Sequence, residues 1–249
     1  MGVKAGIDLG SRYVKLALLH DGETTYRRWD TAEFYRSFVK RTESGLVIDL
    51  ESAGLNDVTY ITATGYGRNL LNFANANVIS EIKAHFRGAL EITKAQNFLL
   101  VDVGGQDSKV IYVKEGYIED FVMNDKCAAS TGRFLENACS IMHISLDELA
   151  EMTENPVKLS STCAIFSESE IIGKIAEGYT MEEIGAGVNE SIARRLFPLM
   201  KKYRTEKIYA AGGVASNAAL IKFLSDMAGQ PIEVLPDCQY NGCRGCLYY

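Results

Sequence analysis

The chain has no excess of positive charge. Its 26 Lys and Arg stand against 32 Asp and Glu, a formal net charge of −6 over 249 residues. Binding nucleic-acid phosphates needs clustered Lys and Arg, so no nucleic-acid partner is expected. No apolar run approaches the ~20 residues that cross a bilayer, so no membrane partner is expected. No secretory leader is expected, because Met1-Gly2-Val3-Lys4-Ala5-Gly6-Ile7-Asp8 runs straight into a strand pattern holding an Asp. Low-complexity segments and flexible linkers are missing as well. These absences together predict a cytoplasmic protein, where the six cysteines are thiols or metal ligands rather than disulfides. What the chain does have is apolar residues, 47% of the total, enough for one large domain or two lobes of ordinary size.

A short pattern occurs twice. Gly6-Ile7-Asp8-Leu9-Gly10 leads to Lys15, and Val101-Asp102-Val103-Gly104-Gly105 leads to Lys109. Both obey D-x-G-x-x-x-x-K. An apolar strand precedes each Asp, and alternating apolar residues follow it (Val14, Leu16, Leu18; Val110, Tyr112). Each reads as a β-hairpin whose tight turn uses Gly for backbone freedom and close approach to a ligand. Such a repeat suggests two related α/β lobes. The boundaries expected are 1–92 plus 236–249 for the first lobe and 93–235 for the second. A strand then a short helix are predicted over Glu23 to Arg41, and a strand at Val58 to Thr64. Helices are predicted from Ser80 to Lys94, Thr131 to Met142, Ser145 to Met152, Ser167 to Glu177 and Thr180 to Lys202. A strand from Glu206 to Ala211 ends at Gly212-Gly213, where a further helix opens.

Glycine-rich turns offer backbone N–H groups to phosphates, and a nearby Asp can hold Mg2+ directly or through water. Gly10, Ser11 and Lys15 in the first turn, and Gly104 and Gly105 in the second, are the candidate phosphate contacts. Asp8 and Asp102 are the candidate Mg2+ carboxylates. Gln106 or Asp107 is placed to orient an attacking water. Gly212-Gly213-Val214-Ala215-Ser216-Asn217 reads in two ways. It is either a loop against adenosine, through Gly212, Gly213, Ser216 and Asn217, or a helix start capped by Ser216 or Asn217. The two turns upstream favour the first.

Cys127 and Cys163 each stand where a loop turns into a helical pattern, among Ala, Ser and Thr that leave room. Helix N-termini stabilise thiolates and anionic clusters. Two thiolates make half of a four-cysteine iron–sulfur shell, and a two-fold dimer can supply the rest. Cys139 lies mid-helix among Ala138, Ile141 and Met142 and reads as a small core residue. Cys243-x-x-Cys246, with Cys238 nearby, has a spacing that suits metal or redox chemistry as well as a terminal helix.

With these motifs the chain resembles the activators of 2-hydroxyacyl-CoA dehydratases, also called activases or archerases. They are grouped with the ATPase subunits of benzoyl-CoA reductases and the reductases of double-cubane cluster proteins. The resemblance runs through Gly6-Ile7-Asp8-Leu9-Gly10-Ser11, Ala63-Thr64-Gly65-Tyr66-Gly67-Arg68 and Asp102-Val103-Gly104-Gly105-Gln106-Asp107. It continues in Met123-Asn124-Asp125-Lys126-Cys127-Ala128-Ala129, Ser161-Thr162-Cys163, Phe166-Ser167-Glu168-Ser169-Glu170 and Gly212-Gly213-Val214-Ala215. It implies an α/β fold of two duplicated lobes, of the actin, sugar-kinase and heat-shock ATPase superfamily, with nucleotide in the cleft. It also implies a homodimer with one 4Fe-4S cluster held by Cys127 and Cys163 of each subunit, and Mg-ATP bound by each. ATP hydrolysis would drive one electron, taken from a ferredoxin or flavodoxin, into a client iron–sulfur enzyme. The chain departs from the resemblance at Ser130, where Gly is usual. It departs again at Tyr240-Asn241-Gly242-Cys243-Arg244-Gly245-Cys246, where Tyr-Asn-Gly-Ala-x-Gly-Ala is usual. Those two thiols then replace small residues of a terminal helix. The rival expectations are a small-molecule kinase of the same superfamily and a non-redox nucleotide-sensing ATPase.

Overall fold

A computed structural model describes residues 2–43, 45–69, 76–124, 128–160 and 164–249. The chain divides into two compact units, Met1–Lys94 with Tyr240–Tyr249, and Ala95–Gln239. In the first unit, β1 (Val3–Leu9), β2 (Tyr13–His20) and β3 (Glu23–Asp30) form an antiparallel meander. Helix α1 (Thr31–Phe38) and a small hairpin, β4 (Val39–Thr42) with β5 (Gly45–Ile48), follow. Strands β6 (Val58–Thr64) and β7 (Ala76–Val78) then add to β1 in parallel, giving a sheet in the order β3-β2-β1-β6-β7. Helix α2 (Glu81–Thr93) completes the continuous part, with Ser80 accepting the Lys83 N–H as its cap.

The second unit repeats the plan. An antiparallel meander of β8 (Phe98–Val103), β9 (Ser108–Lys114) and β10 (Tyr117–Asn124) comes first. Helices α3 (Gly132–Met142), α4 (Leu146–Leu149), α5 (Ala164–Ala176) and α6 (Met181–Met200) follow. Strand β11 (Ile208–Ala211), helix α7 (Ala218–Ala228) and strand β12 (Ile232–Val234) close the sheet in the order β10-β9-β8-β11-β12. The chain then returns to the first unit as α8 (Asn241–Cys246), which packs on α2 and β1.

The two sheets therefore share one strand order, with the repeated motif at the end of the central strand of each. Strand β8 is buried along its whole length. That is why its sequence reads Phe-Leu-Leu-Val rather than alternating, as a strand covered on both faces must. The first core gathers Ile7, Leu9, Val14, Leu16 and Phe34; the second gathers Val101, Val110, Phe134, Ile184 and Leu196. Helix α6 opens on a reciprocal capping box between Thr180 and Glu183. The helix expected from Ser145 to Met152 is a single turn. The Asn189 side-chain amide donates to the Leu149 and Met152 carbonyls, at 2.7 and 3.1 Å. Past Ala150 the backbone tightens, with the Glu151 and Met152 N–H groups donating to Glu148 and Leu149, three residues back, and Asn189 caps the end. Among the described residues no helix is long and apolar enough to cross a membrane.

Candidate functional site

In the first unit, β1 stops at Leu9 and β2 starts at Tyr13, leaving Gly10, Ser11 and Arg12 as the turn. In the second, Gly104, Gly105, Gln106 and Asp107 join β8 to β9. The registers are equivalent: Asp8 lies opposite Lys15, and Asp102 opposite Lys109. The D-x-G-x-x-x-x-K spacing is thus a cross-strand pair seen in sequence. Both carboxylates are buried, Asp8 to 6% exposure and Asp102 to 1%. Buried carboxylates are held only where cations or donors meet them. Lys109 supplies this for Asp102, its Nζ lying 3.6 Å from Oδ2 and 2.7 Å from Oδ2 of Asp107.

Asp8 is instead enclosed by backbone. A Cβ placed on Gly65 would stand 2.7 Å from Asp8 Oδ1 and 2.6 Å from the Leu9 backbone. One placed on Gly242 would stand 3.0 Å from Asp8 Oδ2 and 3.0 Å from His85 Nε2. In the second unit, a Cβ on Gly212 would stand 2.3 Å from the Val103 carbonyl oxygen. Gly65 and Gly212 both have positive φ, +96° and +87°, which a side chain would strain. They are counterparts. Each follows the fourth strand of its sheet, lies against the hairpin and opens a 3-10 turn, Tyr66–Asn69 or Gly213–Ser216. Sequence reasoning named Gly212 as a site residue. It did not count Gly65, Gly242 or His85 among the site residues, although the glycine after a strand end was a usable signal for Gly65.

Both turns are gripped from behind by a helix N-terminus. Thr31, first in α1, donates its hydroxyl to the Gly10 carbonyl at 2.8 Å and its N–H to the Arg12 carbonyl at 3.2 Å. Arg12 in turn pairs with Asp30, the cap of α1. In the second unit, the N–H groups of Gly132 and Arg133, first in α3, donate to the carbonyls of Gly104 and Gly105 at 2.9 and 3.0 Å. The Gly104 N–H closes the turn onto Asp107 at 2.9 Å. Gln106 is exposed at the tip, whereas the Asp107 carboxylate is engaged by Lys109. Of the two residues expected to orient water, Gln106 has the side chain that faces solvent.

The loop after β11 combines both readings of its sequence. Asn217 caps α7, accepting from the Leu220 N–H at 2.8 Å, and its Nδ2 donates to Asn189 of α6 at 2.9 Å. Its side chain is therefore committed within the fold. Ser216 is exposed and turns its hydroxyl onto the Gly213 carbonyl. A Cβ on Gly213 would meet nothing within 4 Å, so packing does not demand glycine there. Gly213 and Ser216 form an open rim, with Gly212 buried beneath it against Val103.

Cys127 and Cys163 lie outside the described residues. Cys139, Cys238, Cys243 and Cys246 form no disulfide. Cys139 is buried at 6% exposure on α3, and burial pushes its thiol up to about 11. Cys243 and Cys246 sit in the core on α8, and burial raises both thiols further, with the Asp8 charge adding to the effect. Such thiols are inert at neutral pH. Among the described residues, no three or more His, Cys, Asp or Glu side chains gather as a metal site. What the described part does offer is two glycine-lined turns, each backed by a buried carboxylate. Hard oxygen donors beside backbone amides suit a magnesium-bound polyphosphate.

Comparison with known proteins agrees with this geometry. Residues 5–249 match the family described as the BadF/BadG/BcrA/BcrD ATPase family. The chain is 35% identical to the (R)-2-hydroxyglutaryl-CoA dehydratase activating ATPase of Acidaminococcus fermentans, over 98% of this chain and 95% of that protein. It is 32% identical to a benzoyl-CoA reductase subunit from Thauera aromatica, over 98% and 92%. The activator of the 2-hydroxyisocaproyl-CoA dehydratase from Clostridium difficile, solved with bound ADPNP, superposes with a TM-score of 0.85 at 30% identity. That match covers 99% of this chain and 93% of the other. The shared fold is that of the actin, sugar-kinase and heat-shock ATPase superfamily.

Proposed function

The chain belongs to the BadF/BadG/BcrA/BcrD ATPase family, and from that membership we propose that it hydrolyses ATP to drive one low-potential electron into a client iron–sulfur enzyme. The observation that carries the ATP half is the repeated turn, with Asp8 and Asp102 buried at equivalent registers of two sheets of equal strand order. In this reading Asp8 and Asp102 hold Mg2+ directly or through water. Gly10, Ser11, Lys15, Gly104 and Gly105 contact the phosphates, and Gln106 orients the attacking water. Gly212, Gly213 and Ser216 lie along the adenosine, with Asn217 fixing the loop from beneath. A nucleotide analogue bound to a relative 30% identical over nearly the whole chain supports the site.

The redox half rests on Cys127 and Cys163, which in a homodimer supply the four thiolates of a 4Fe-4S cluster. When bound, that cluster supplies one-electron transfer at low potential, accepted from a ferredoxin or flavodoxin. Raising one electron by ~0.2 V costs about 4.6 kcal/mol, within the reach of ATP hydrolysis. The relatives named for 2-hydroxyacyl-CoA dehydratases and for a benzoyl-CoA reductase point to a client of the dehydratase type or a double-cubane cluster protein.

The test is anaerobic purification, followed by measurement of iron, ATP turnover and electron delivery. About four iron atoms per dimer, with Mg-ATP turnover and ATP-dependent reduction of an added dehydratase, are expected. An iron-free protein that phosphorylates a small molecule would establish the kinase reading instead. An iron-free ATPase that phosphorylates nothing would establish the sensor reading.

A further inference from the structure

The turn after β11, Gly213–Ser216, is exposed at Gly213 and Ser216 yet anchored at both ends. At its start, Gly212 lies against the Val103 backbone and donates its N–H to the Cys238 carbonyl at 3.0 Å. At its end stands Asn217. Its backbone N–H closes the turn onto the Val214 carbonyl at 3.0 Å. Its Oδ1 caps α7 through the Leu220 N–H, and its Nδ2 reaches Asn189 of α6. Both asparagines are buried, Asn189 to 0% exposure and Asn217 to 5%. Asn189 uses its whole side-chain amide here. Its Oδ1 accepts from Asn217, and its Nδ2 donates to the Leu149 and Met152 carbonyls at the end of α4. A neutral amide offers two donors beside one acceptor, which neither a carboxylate nor an apolar side chain can do. The Ala219 N–H, in the first turn of α7, adds a bond to the Ala150 carbonyl at 2.8 Å. The far end of the loop is thus held from outside it, by α6 and by the end of α4.

We propose that Asn189 is a positioning residue for the nucleotide: through Asn217 it holds the Gly213–Ser216 loop in the shape that receives adenosine, and so sets affinity for the nucleoside end and not for the phosphates. The proposal rests on the reading of this loop as the adenosine contact. A loop that must be ordered at the moment of binding weakens binding, and a loop already fixed avoids that cost. Released from Asn189, the loop keeps its Gly212 anchor and loses the side-chain bond that ties its other end to α6. The Gly104–Asp107 turn is fixed by the start of α3 instead, so its hold on phosphate does not depend on Asn189.

Asn217→Ser isolates the latch. Serine caps a helix as well as asparagine does, so the bond from the Leu220 N–H is kept, but its short side chain cannot reach Asn189. Calorimetric titration of the full chain with Mg-ADP, and with Mg-tripolyphosphate, which has no nucleoside, reads the effect. In Asn217→Ser, ADP should bind about tenfold more weakly, the weight of one buried hydrogen bond, with tripolyphosphate affinity unchanged. Asn189→Leu should show the same selective loss, and the double variant should lose no more ADP affinity than Asn189→Leu does. A residue that merely stabilises the fold would lower Tm and weaken both ligands alike or neither. Should either single variant not fold, the other decides the matter. Wild-type ADP affinity in Asn217→Ser overturns the proposal, as does an equal loss for ADP and tripolyphosphate. Gly213→Ala separates that failure from failure of the reading beneath it. If Gly213→Ala weakens ADP binding and Asn217→Ser does not, the proposal alone falls. If neither does, the loop is not the adenosine contact and both fall. Wild type that binds Mg-ADP and no tripolyphosphate overturns the separation of phosphate from adenosine contacts, and the proposal with it.

Discussion

Gly212 and Gly213 are adjacent, yet the structure assigns them opposite reasons for being glycine. At Gly212 φ is +87°, and an added Cβ would lie 2.3 Å from the Val103 carbonyl oxygen and within 2.8 Å of two more backbone atoms. Backbone cannot swing away as a side chain can. Gly212→Ala therefore combines a strain of about 1–3 kcal/mol, for an extended backbone at positive φ that only glycine adopts readily, with an overpacking cost of about 1–3 kcal/mol, roughly 2–6 in all. For a chain of this length that lowers Tm by roughly 4–24 °C. At Gly213 an added Cβ meets nothing within 4 Å, so Gly213→Ala should melt as wild type does, within about 0.5 kcal/mol. Its effect should fall on the ligand. If the loop lies against the nucleotide, a methyl group there should weaken ADP binding about tenfold, or 1.4 kcal/mol. Thermal melting and calorimetric titration of Mg-ADP separate the two. A Gly212→Ala protein that melts like wild type would refute the packing argument. Unchanged ADP affinity in Gly213→Ala would place the nucleotide elsewhere.

Asp102→Asn should cut Mg-ATP turnover by orders of magnitude, the usual cost of losing a charged partner of the transition state, in a steady-state assay. Iron content should stay intact. Cys127→Ala and Cys163→Ala should each abolish bound iron, measured colorimetrically, while Cys139→Ala and Cys243→Ala keep it; iron-replete Cys163→Ala would sink the ligand assignment. Asn189→Leu leaves the Leu149 and Met152 carbonyls and the Asn217 amide without their partner, and should lower stability by roughly 2–4 kcal/mol in urea titration. The raised Cys139 thiol, at about 11, means the fold favours the neutral form. That preference is fully present below the unfolded thiol value and is lost as pH rises through about 11. The Cys139 contribution to stability should therefore fall between about pH 9 and 11, and comparison of wild type with Cys139→Ala across that range reads it.

What could be read in the sequence was local. The pairing of Asp8 with Lys15 and of Asp102 with Lys109 needs only a hairpin, so a fixed spacing reveals it. Helix caps at Ser80, Ser145 and Thr180 were legible for the same reason, each acting within three residues. What escaped depends on distant chain. Asp8 is enclosed by Gly65 and by Gly242, the latter near the far end of the sequence. The helix beginning at Leu146 ends after one turn against Asn189, on α6, which caps the Leu149 carbonyl from 40 residues away. Ser130 reads in sequence as a small residue near a cysteine; only the meeting of β9 and β10 makes it a junction.

The two units solve one mechanical problem in the same way, and the difference between them bears on where chemistry was added. In each, the helix after the third strand sets its first donors against the hairpin turn, Thr31 on Gly10 and Arg12, Gly132 and Arg133 on Gly104 and Gly105. A glycine-rich turn has little stiffness of its own, because glycine has the most backbone freedom to lose. The helix supplies the stiffness, and any movement of the turn is passed to the helix start. In the first unit the helix follows the strand directly, β3 ending at Asp30 and α1 starting at Thr31. In the second, β10 ends at Asn124 and α3 starts at Gly132, and the residues between them include Cys127. Cys127 therefore falls, in chain order, just before the helix whose first donors hold the turn. Cys243 and Cys246 are instead sealed in the core with thiols held neutral. If the turn holds the nucleotide, that order along the chain is a reason, apart from any resemblance, to test Cys127 rather than the cysteines of α8 for a link to it.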